Sequence, residues 1–529
     1  MRGYFTADEV RAAEAELFTR VPDGMPMRRA AFGLADVVAR ELRERTGGIA
    51  GRTVTLLVGS GDNGGDALWA GFFLRRRGVA VNAILLAPER AHAAGLAALR
   101  RAGGRVVECR DATSAGAGSG EADATTSTAE GIADAADSHG AAGPSGGVSD
   151  AAARAAIGGA DLVIDGIVGI SGRGGLRPRA AELVAAVRVP IVAVDLPSGV
   201  DPDTGAVAGA AVRAAVTVAF GAYKPVHALA APYCGRIELV PIGLRLPEAK
   251  LAALEPESVG AGWPVPGAAD DKYTQGVTGV CAGSATYPGA AVLCTGAAVA
   301  ATSGMVRYAG SGAGEVLAHF PEVIAAPSIS ESGRVQAWVF GPGAGTDSGA
   351  RDRLAEVLAT DLPVVVDADG LTLLAADPSV LKTRSAPTVL TPHAGEFARL
   401  TGHEPGPDRV GAVRELAESW QVTVLLKGRA TLVAAPGRPV LVNEAGGSWA
   451  ATAGSGDVLS GIIGALLAAG RDPAWAAAAA ARVHALAANL AAHADTAAGA
   501  PISASPLLAH VRAAIATLRE LAPPAPNRR

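Results

Sequence analysis

The sequence predicts an α/β protein made of two parallel-sheet domains, and three observations carry that prediction. Short β-branched runs alternate with stretches of helical periodicity, the pattern of parallel strands joined by crossover helices. The alternation occurs twice, on either side of a proline-rich stretch from Pro241 to Asp271 that holds Pro241, Pro247, Pro256, Pro264 and Pro266. The chain, at 529 residues, is too long for one ordinary domain, and 49% apolar residues supply material for more than one core.

Taken in order, helical periodicity runs from Val10 to Arg45. Buried strands are predicted at Thr53–Val58, Val79–Leu86, Leu162–Ile164 and Ile191–Val194. The segment Ala112–Val148 is almost wholly Ala, Gly, Ser, Thr and Asp and has no apolar period. It cannot bury enough surface to offset its ordering entropy, so a disordered insertion is expected at about 112–149. The expected boundaries are 1–244 for the first domain, 245–271 for a linker with at most one short helix, and 272–522 for the second domain. There, Val277–Cys281, Val335–Phe340, Val364–Val366, Val389–Leu390 and Val422–Leu426 read as strands, and Ala290–Met305 and Val458–Leu467 as helices. The last twenty residues, ending in PPAPNRR, are expected to fray.

Composition excludes several function classes. The formal net charge is −5, with 18% charged residues and no long basic run, so nothing marks a nucleic-acid partner or an anionic membrane surface. Arg75–Arg77 reads as a solvated helix end. Cys109, Cys234, Cys281 and Cys294 lack metal-ligand spacing and read as buried thiols of a reducing compartment. The first residues hold no signal-peptide core, and no apolar run approaches a membrane span. A soluble cytoplasmic protein is expected.

The chemistry gathers at strand ends. The segment ATAGSGDVLSGIIGAL places Gly454, Ser455 and Gly456 before Asp457 and then opens into a helix. Glycines admit a phosphate close to the backbone, and helix-start N–H groups bind anions. An aspartate beside such a site is placed to take a proton from a hydroxyl next to a phosphoryl group. In the first half, three strands each end in an Asn or Asp. Thr53–Val58 runs into GSGDNGGD, Leu162–Ile164 into Asp165 and a loop with five glycines, and Ile191–Val194 into Asp195 and LPSGVDPDTG. Each alone is ordinary turn chemistry; three in register at strand ends point to a site.

GSGD with its following helix resembles ribokinase-like enzymes. The runs NGGD and DLPSGVDPDTG resemble the NAD(P)HX epimerase domain, a Rossmann-like three-layer fold. The series GSATYPGA, GPGAG, VVDADGL, TPHAGE, KGRAT and GSGDVLSG resembles the ADP-dependent NAD(P)HX dehydratase domain. Together they resemble the fused bifunctional NAD(P)H-hydrate repair enzymes, over almost the whole chain except the insertion, the linker and the ends.

The resemblance implies roles residue by residue. In the epimerase domain the substrate is bound by Asp62, Asn63, Gly64, Gly65 and Asp66, by the loop Gly169, Ile170, Ser171, Gly172, Arg173, Gly174 and Gly175, and by Asp195, the candidate acid/base. Asn63, Asp165 and Ser198 are implied ligands of K⁺. In the dehydratase domain Ala290, Gly345, His393 and Asp457 meet the substrate. Lys427, Gly428, Arg429, Ala430, Thr431 and Gly456 hold the nucleotide, ADP with Mg²⁺, and Asp457 is the base. The implied partners are NADHX, NADPHX and ADP, with no nucleic acid and no membrane, in a homo-oligomer. The chain departs from the family pattern at Asp62 (usually Asn), Ala67 (usually Gly), Ile170–Ser171 (usually Thr–Gly) and Asp271 (often His), while Lys272 and Tyr273 agree. The competing reading is a ribokinase-like small-molecule kinase, such as a hydroxymethylpyrimidine-type kinase, with a non-catalytic binding domain. TPHAGE, YPGA and the fused first domain argue against it.

Overall fold

The computed structural model describes residues 1–109, 145–381 and 384–523. They form two units, one of Thr6–Leu246 and one of Pro247–Arg529 with Met1–Phe5.

The Thr6–Leu246 unit is built on a wholly parallel sheet. Its spatial order is Arg105–Glu108, Ala80–Leu85, Thr53–Val58, Leu162–Gly166, Ile191–Val194, Val216–Phe220 and Arg236–Val240. Alternation along the strands feeds two cores. Leu56 and Val58 pack with Leu34, Val38, Leu68 and Leu74 on one face, and Leu57 and Val163 with Ile157 and Leu183 on the other. The result is a three-layer sandwich. From Thr53–Val58 the chain steps outward to one edge and then returns to start the other half at Leu162–Gly166. That reversal leaves a crevice at the carboxyl ends of these two neighbours.

The periodicity from Val10 to Arg45 resolves into two helices, Ala7–Phe18 and Met25–Thr46. Thr6 and Glu9 cap the first reciprocally, and Gly24, at φ 71°, separates it from the second. Most of the stretch expected to be a disordered insertion lies outside the described residues. Its end does not fit that expectation, because the helix Ser145–Gly158 begins inside it.

The second unit carries an eleven-stranded mixed sheet among the described residues. Its parallel centre runs Thr423–Leu426, Thr388–Leu390, Val364–Val366, Ala337–Phe340, Val277–Cys281, Met305–Ala309 and Ile324–Ala326. Ala430–Ala434 and Val440–Glu444 extend it antiparallel. The helices Ser455–Ala468 and Pro288–Ala301 pack closely: a Cβ on Gly461 would lie 2.1 Å from the Cys294 carbonyl oxygen.

Three expectations are corrected here. The stretch read as a linker contains the strand Leu251–Ala253 and the helix Pro256–Gly262, both part of this unit. Leu251–Ala253 joins the sheet beside Val440–Glu444, and the first strand of the chain, Arg2–Tyr4, pairs antiparallel with it. Residues 1–5 thus belong with the second unit. The last twenty residues include the helix Val511–Leu521, held by buried Val511, Ala514 and Leu518. Its apolar positions at i, i+3 and i+7 are an amphipathic signal that the Pro-rich end obscured. No helix among the described residues is long and apolar enough to cross a membrane.

Candidate active sites at the two sets of strand ends

In the Thr6–Leu246 unit the three predicted strand ends meet. Asn63 lies in the first turn of the helix Asp62–Arg75 and donates from Nδ2 to the Val194 carbonyl at 2.5 Å. The loops cross here at backbone distance, since a Cβ on Gly59 would lie 1.8 Å from the Ile167 carbonyl oxygen. Asp165 is fully buried and takes three donors: the Ser198 hydroxyl at 2.7 Å, the Ser198 N–H at 2.8 Å and the Ile167 N–H at 3.2 Å. The Ser198 oxygen in turn accepts the Val168 N–H at 2.9 Å. Burial outweighs these bonds and pushes the Asp165 carboxyl up to about 6. Asn63 Nδ2 reaches the Val168 carbonyl at 3.4 Å and the Ser198 hydroxyl reaches it at 3.3 Å, so Asn63, Asp165 and Ser198 gather around Val168.

Asp195 sits at φ 67°, a strained conformation for a residue with a side chain. Its Oδ1 accepts the Lys224 ammonium at 2.5 Å and the Phe220 N–H at 2.9 Å. Lys224 keeps only 1% of its surface and also donates to the Phe220 and Ala222 carbonyls. His227 closes the network: Nδ1 accepts the Lys224 N–H and Nε2–H reaches the Asp195 carbonyl at 2.9 Å. Burial, then the Lys224 charge, push His227 down to about 4, so the ring is neutral. Lys224 and His227 escaped the sequence reading. Their signal was FGAYKPVH, a polar pair directly after a strand that was itself missed.

Asp66 is buried beside these groups, whereas Asp62 is exposed. Burial first, then the charges of Asp195, Asp62 and Glu14, hold the Asp66 carboxyl well above the usual carboxylate range. Glu14 comes from the helix Ala7–Phe18, which also sends Arg11 to the Ile170 carbonyl at 3.2 Å. The Gly169–Gly175 loop follows Asp165, with Ser171 and Arg173 exposed. A Cβ on Gly169 would lie 2.3 Å from Asn63 Oδ1, so the loop must pass the amide without a side chain. Ala67, where a glycine is usual, is fully buried and tolerated.

In the second unit five parallel strands deliver loops to one end. Asp457 occupies the first turn of Ser455–Ala468, entered through Gly454 at φ 81°. Opposite it, the Lys427 ammonium bonds Asp367 Oδ1 at 2.7 Å and reaches Glu396 at 3.4 Å, while the Ser460 hydroxyl donates to Asp367 Oδ2 at 2.8 Å. Burial, then the Asp367 charge, raise the Asp457 carboxyl to about 7; Lys427 opposes this and Asp369 adds to it. Gly456 faces the pair, with room for a Cβ 3.5 Å from Lys427 Nζ.

The other expected residues fall around this point. Gly345 donates its N–H to Asp369 at 2.9 Å, and a Cβ on Gly343 would meet that of Ala290 at 2.8 Å. His393 caps the helix Ala394–Thr401, its Nδ1 accepting the Gly395 and Glu396 N–H groups, and its side chain stays 59% exposed. A cleft of about 310 Å³ is lined by His393, Lys427, Gly428, Arg429, Thr431 and Gly456. Ala430 does not line it; it is buried in its strand. Asn443, His484 and Asn489, which the sequence did not single out, line the far wall. The volume suits a small-molecule ligand.

The comparisons with known proteins agree with this division. The family model described as YjeF-related protein N-terminus matches residues 25–226, and the one described as NAD(P)H-hydrate dehydratase matches 278–508. The bifunctional NAD(P)H-hydrate repair enzyme Nnr of Mycobacterium leprae is 57% identical over 521 residues, covering 98% of this chain and 100% of that one. The ADP-dependent (S)-NAD(P)H-hydrate dehydratase of Neisseria meningitidis is 43% identical over 232 residues, 41% of this chain and 78% of that one. A crystal structure of ADP/ATP-dependent NAD(P)H-hydrate dehydratase from Bacillus subtilis with ATP and Mg²⁺ is 27% identical, with TM-score 0.45, over 50% of this chain and 98% of that one. The chain belongs to the family of bifunctional NAD(P)H-hydrate repair enzymes, which join an epimerase and a dehydratase of hydrated NADH and NADPH in one polypeptide.

Proposed function

We propose that dehydration runs on Asp457 and Lys427 and epimerisation on Asp195. The observation that carries the first assignment is the Asp457 carboxyl, held near 7 beside a glycine-lined anion site. A base needs that poise to take a proton near neutral pH. In this reading Asp457 accepts the proton of the C6 hydroxyl of the S hydrate. That oxygen takes the terminal phosphoryl group of ADP, and phosphate then leaves with the C–O electrons, giving NAD(P)H and AMP. Lys427 and the N–H groups at the start of Ser455–Ala468 face the transferring charge. Gly428, Arg429, Thr431 and Gly456 line the nucleotide cleft; Ala430 is buried in the strand between them. Ala290, Gly345 and His393 border the hydrate.

The carboxylates around Asp457 suit a hard cation such as Mg²⁺. Asp367 is taken up by Lys427 and Ser460 and Asp457 serves as the base, so Asp369 and the phosphates of ADP would hold it. When bound, Mg²⁺ neutralises phosphoryl charge.

In the other unit Asp195 acts at C6 of the hydrate. Lys224 and the Phe220 N–H occupy one carboxylate oxygen, and no donor among the described residues reaches the other. Asp62 through Asp66 and Gly169 through Gly175 frame the dinucleotide. The chemistry of Asn63, Asp165 and Ser198 suits K⁺: a buried carboxylate without a cationic partner, a hydroxyl and an amide gather around Val168, and Gly169 leaves the amide oxygen uncovered. When bound, K⁺ supplies the charge that Asp165 lacks. The four free, buried cysteines suit a reducing compartment, and we assign the chain to the cytoplasm. Light scattering of the purified chain tests the expected homo-oligomer.

The deciding experiment is product analysis with separate R and S hydrates. S hydrate with ADP should give NADH, AMP and phosphate, and R hydrate should disappear only while the first site is intact. A stable phosphorylated product would instead indicate a kinase.

A further inference from the structure

We infer that Asp66 is the second proton carrier of the epimerase, donating to the departing C6 oxygen while Asp195 takes the proton of the water that adds on the opposite face. The inference rests on the assignment of epimerisation to the Asp195 site.

The geometry sets two carboxyl groups in opposite surroundings. Asp195 is bonded by an ammonium and a backbone N–H, both on Oδ1, as a carboxylate requires. Asp66 keeps 6% of its surface, and its Oδ1 is fully buried with no hydrogen-bond partner. A carboxylate in that position would lose its solvation with nothing in return, whereas a neutral carboxylic acid would not. The charges that bear on Asp66 are all negative: Asp195, Asp62 from its own helix and Glu14 from the helix Ala7–Phe18. The Lys224 ammonium is committed to Asp195. Burial and these neighbours hold the Asp66 carboxyl protonated well above the pH at which a free aspartate ionises. A buried carboxyl without a partner beside a carboxylate that is bonded to an ammonium can serve as acid and base of the same residue type.

The step balances. The C6–O bond breaks with its electron pair going to oxygen, which takes the Asp66 proton and leaves as water. The N1 lone pair forms the N1=C6 bond. A water then adds to the other face, returning that pair to N1 and giving its proton to Asp195. The configuration at C6 inverts, and one proton has moved from Asp66 to Asp195; exchange with solvent resets the pair.

The test uses the full-length protein, each hydrate epimer and variants Asp66→Asn, Glu14→Gln and Asp195→Asn. Asp66→Asn should lower the epimerisation kcat about 10²-fold while KM changes little, the usual loss for a positioned general acid. The wild-type minus Asp66→Asn infrared difference spectrum at pH 7 should hold a protonated-carboxyl band, over the absorption that Asp457 and Asp165 give in both proteins. Wild-type epimerisation should fall on an alkaline limb, and Glu14→Gln, which removes one negative neighbour, should move that limb to lower pH. If Asp195→Asn epimerises at the wild-type rate, the site assignment itself is wrong. If Asp195→Asn is inactive but Asp66→Asn keeps kcat, or the band is absent, only the role of Asp66 is overturned. If Asp66→Asn does not fold, the alkaline limb and its shift in Glu14→Gln decide the matter alone.

Discussion

Lys427 and Asp367 form an ion pair of 2.7 Å in which the carboxylate is 1% exposed and the ammonium side chain 21%. Burial works against the Lys427 charge, yet Asp367 and Glu396 together hold its pKa above the ordinary lysine value. The lysine that lines the cleft is thereby fixed in place and kept charged. Replacing Asp367 with Ala leaves that charge with Glu396 alone, at 3.4 Å. The second unit should lose about 3 kcal/mol, the lower end for a broken buried pair because Lys427 retains some exposure. Its denaturation midpoint, followed by Trp fluorescence, checks this, and ADP affinity should fall in parallel.

Asp457→Asn should cut dehydration by about 10²-fold or more and leave epimerisation alone. In the wild type, dehydration should rise with pH and level off above about 7, as Asp457 ionises. Stability should run the other way. The folded carboxyl binds its proton more tightly than the unfolded one, so its contribution is full below the unfolded pKa and is lost as pH rises through the folded value. The Asn variant should therefore be the more stable protein at pH 8. Melting curves at pH 5 and pH 8 test the crossover.

Asp165 obeys the same sign, with a lower window ending at about 6. A cation in its pocket would reverse the penalty, since it favours the ionised form. K⁺ should thus raise the melting temperature of the first unit more at pH 7.5 than at pH 5, relative to choline at equal ionic strength. In Asp165→Asn the difference should vanish.

Lys224→Met leaves Asp195 in its strained turn without its ammonium partner. Epimerisation should drop at least about 10²-fold, because the carboxylate loses both its orientation and its charge partner. Dehydration of the S hydrate by the same protein should be unchanged. Timed chromatography of an R/S mixture would then show S consumed and R left behind.

The residues that carried sequence signal were those whose chemistry is local. Asp457 is announced by its glycines, and Asn63, Asp165 and Asp195 each close a β-branched run. What escaped depends on distance in the chain. Glu14 reaches its site from a helix whose periodicity reported only a buried face, and Lys224 follows a strand that alternation did not reveal because both its faces are buried. His393, which lines the cleft, also caps a helix through Nδ1, a role its neighbour Glu396 signals through capping-box spacing. The short strands Arg2–Tyr4 and Leu251–Ala253 have three residues each, too few for any period, and exist through pairing.

That pairing makes the epimerase unit an insertion within the dehydratase unit, because Arg2 bonds to Glu255, 253 residues away along the chain. On a ribosome the first strand must wait on the order of tens of seconds before its partner is synthesised. The intervening residues 6–246 have that interval in which to fold as a complete domain. A messenger truncated after about residue 246 would still encode the whole epimerase unit, whereas no single continuous stretch short of the nearly full chain encodes the whole dehydratase unit.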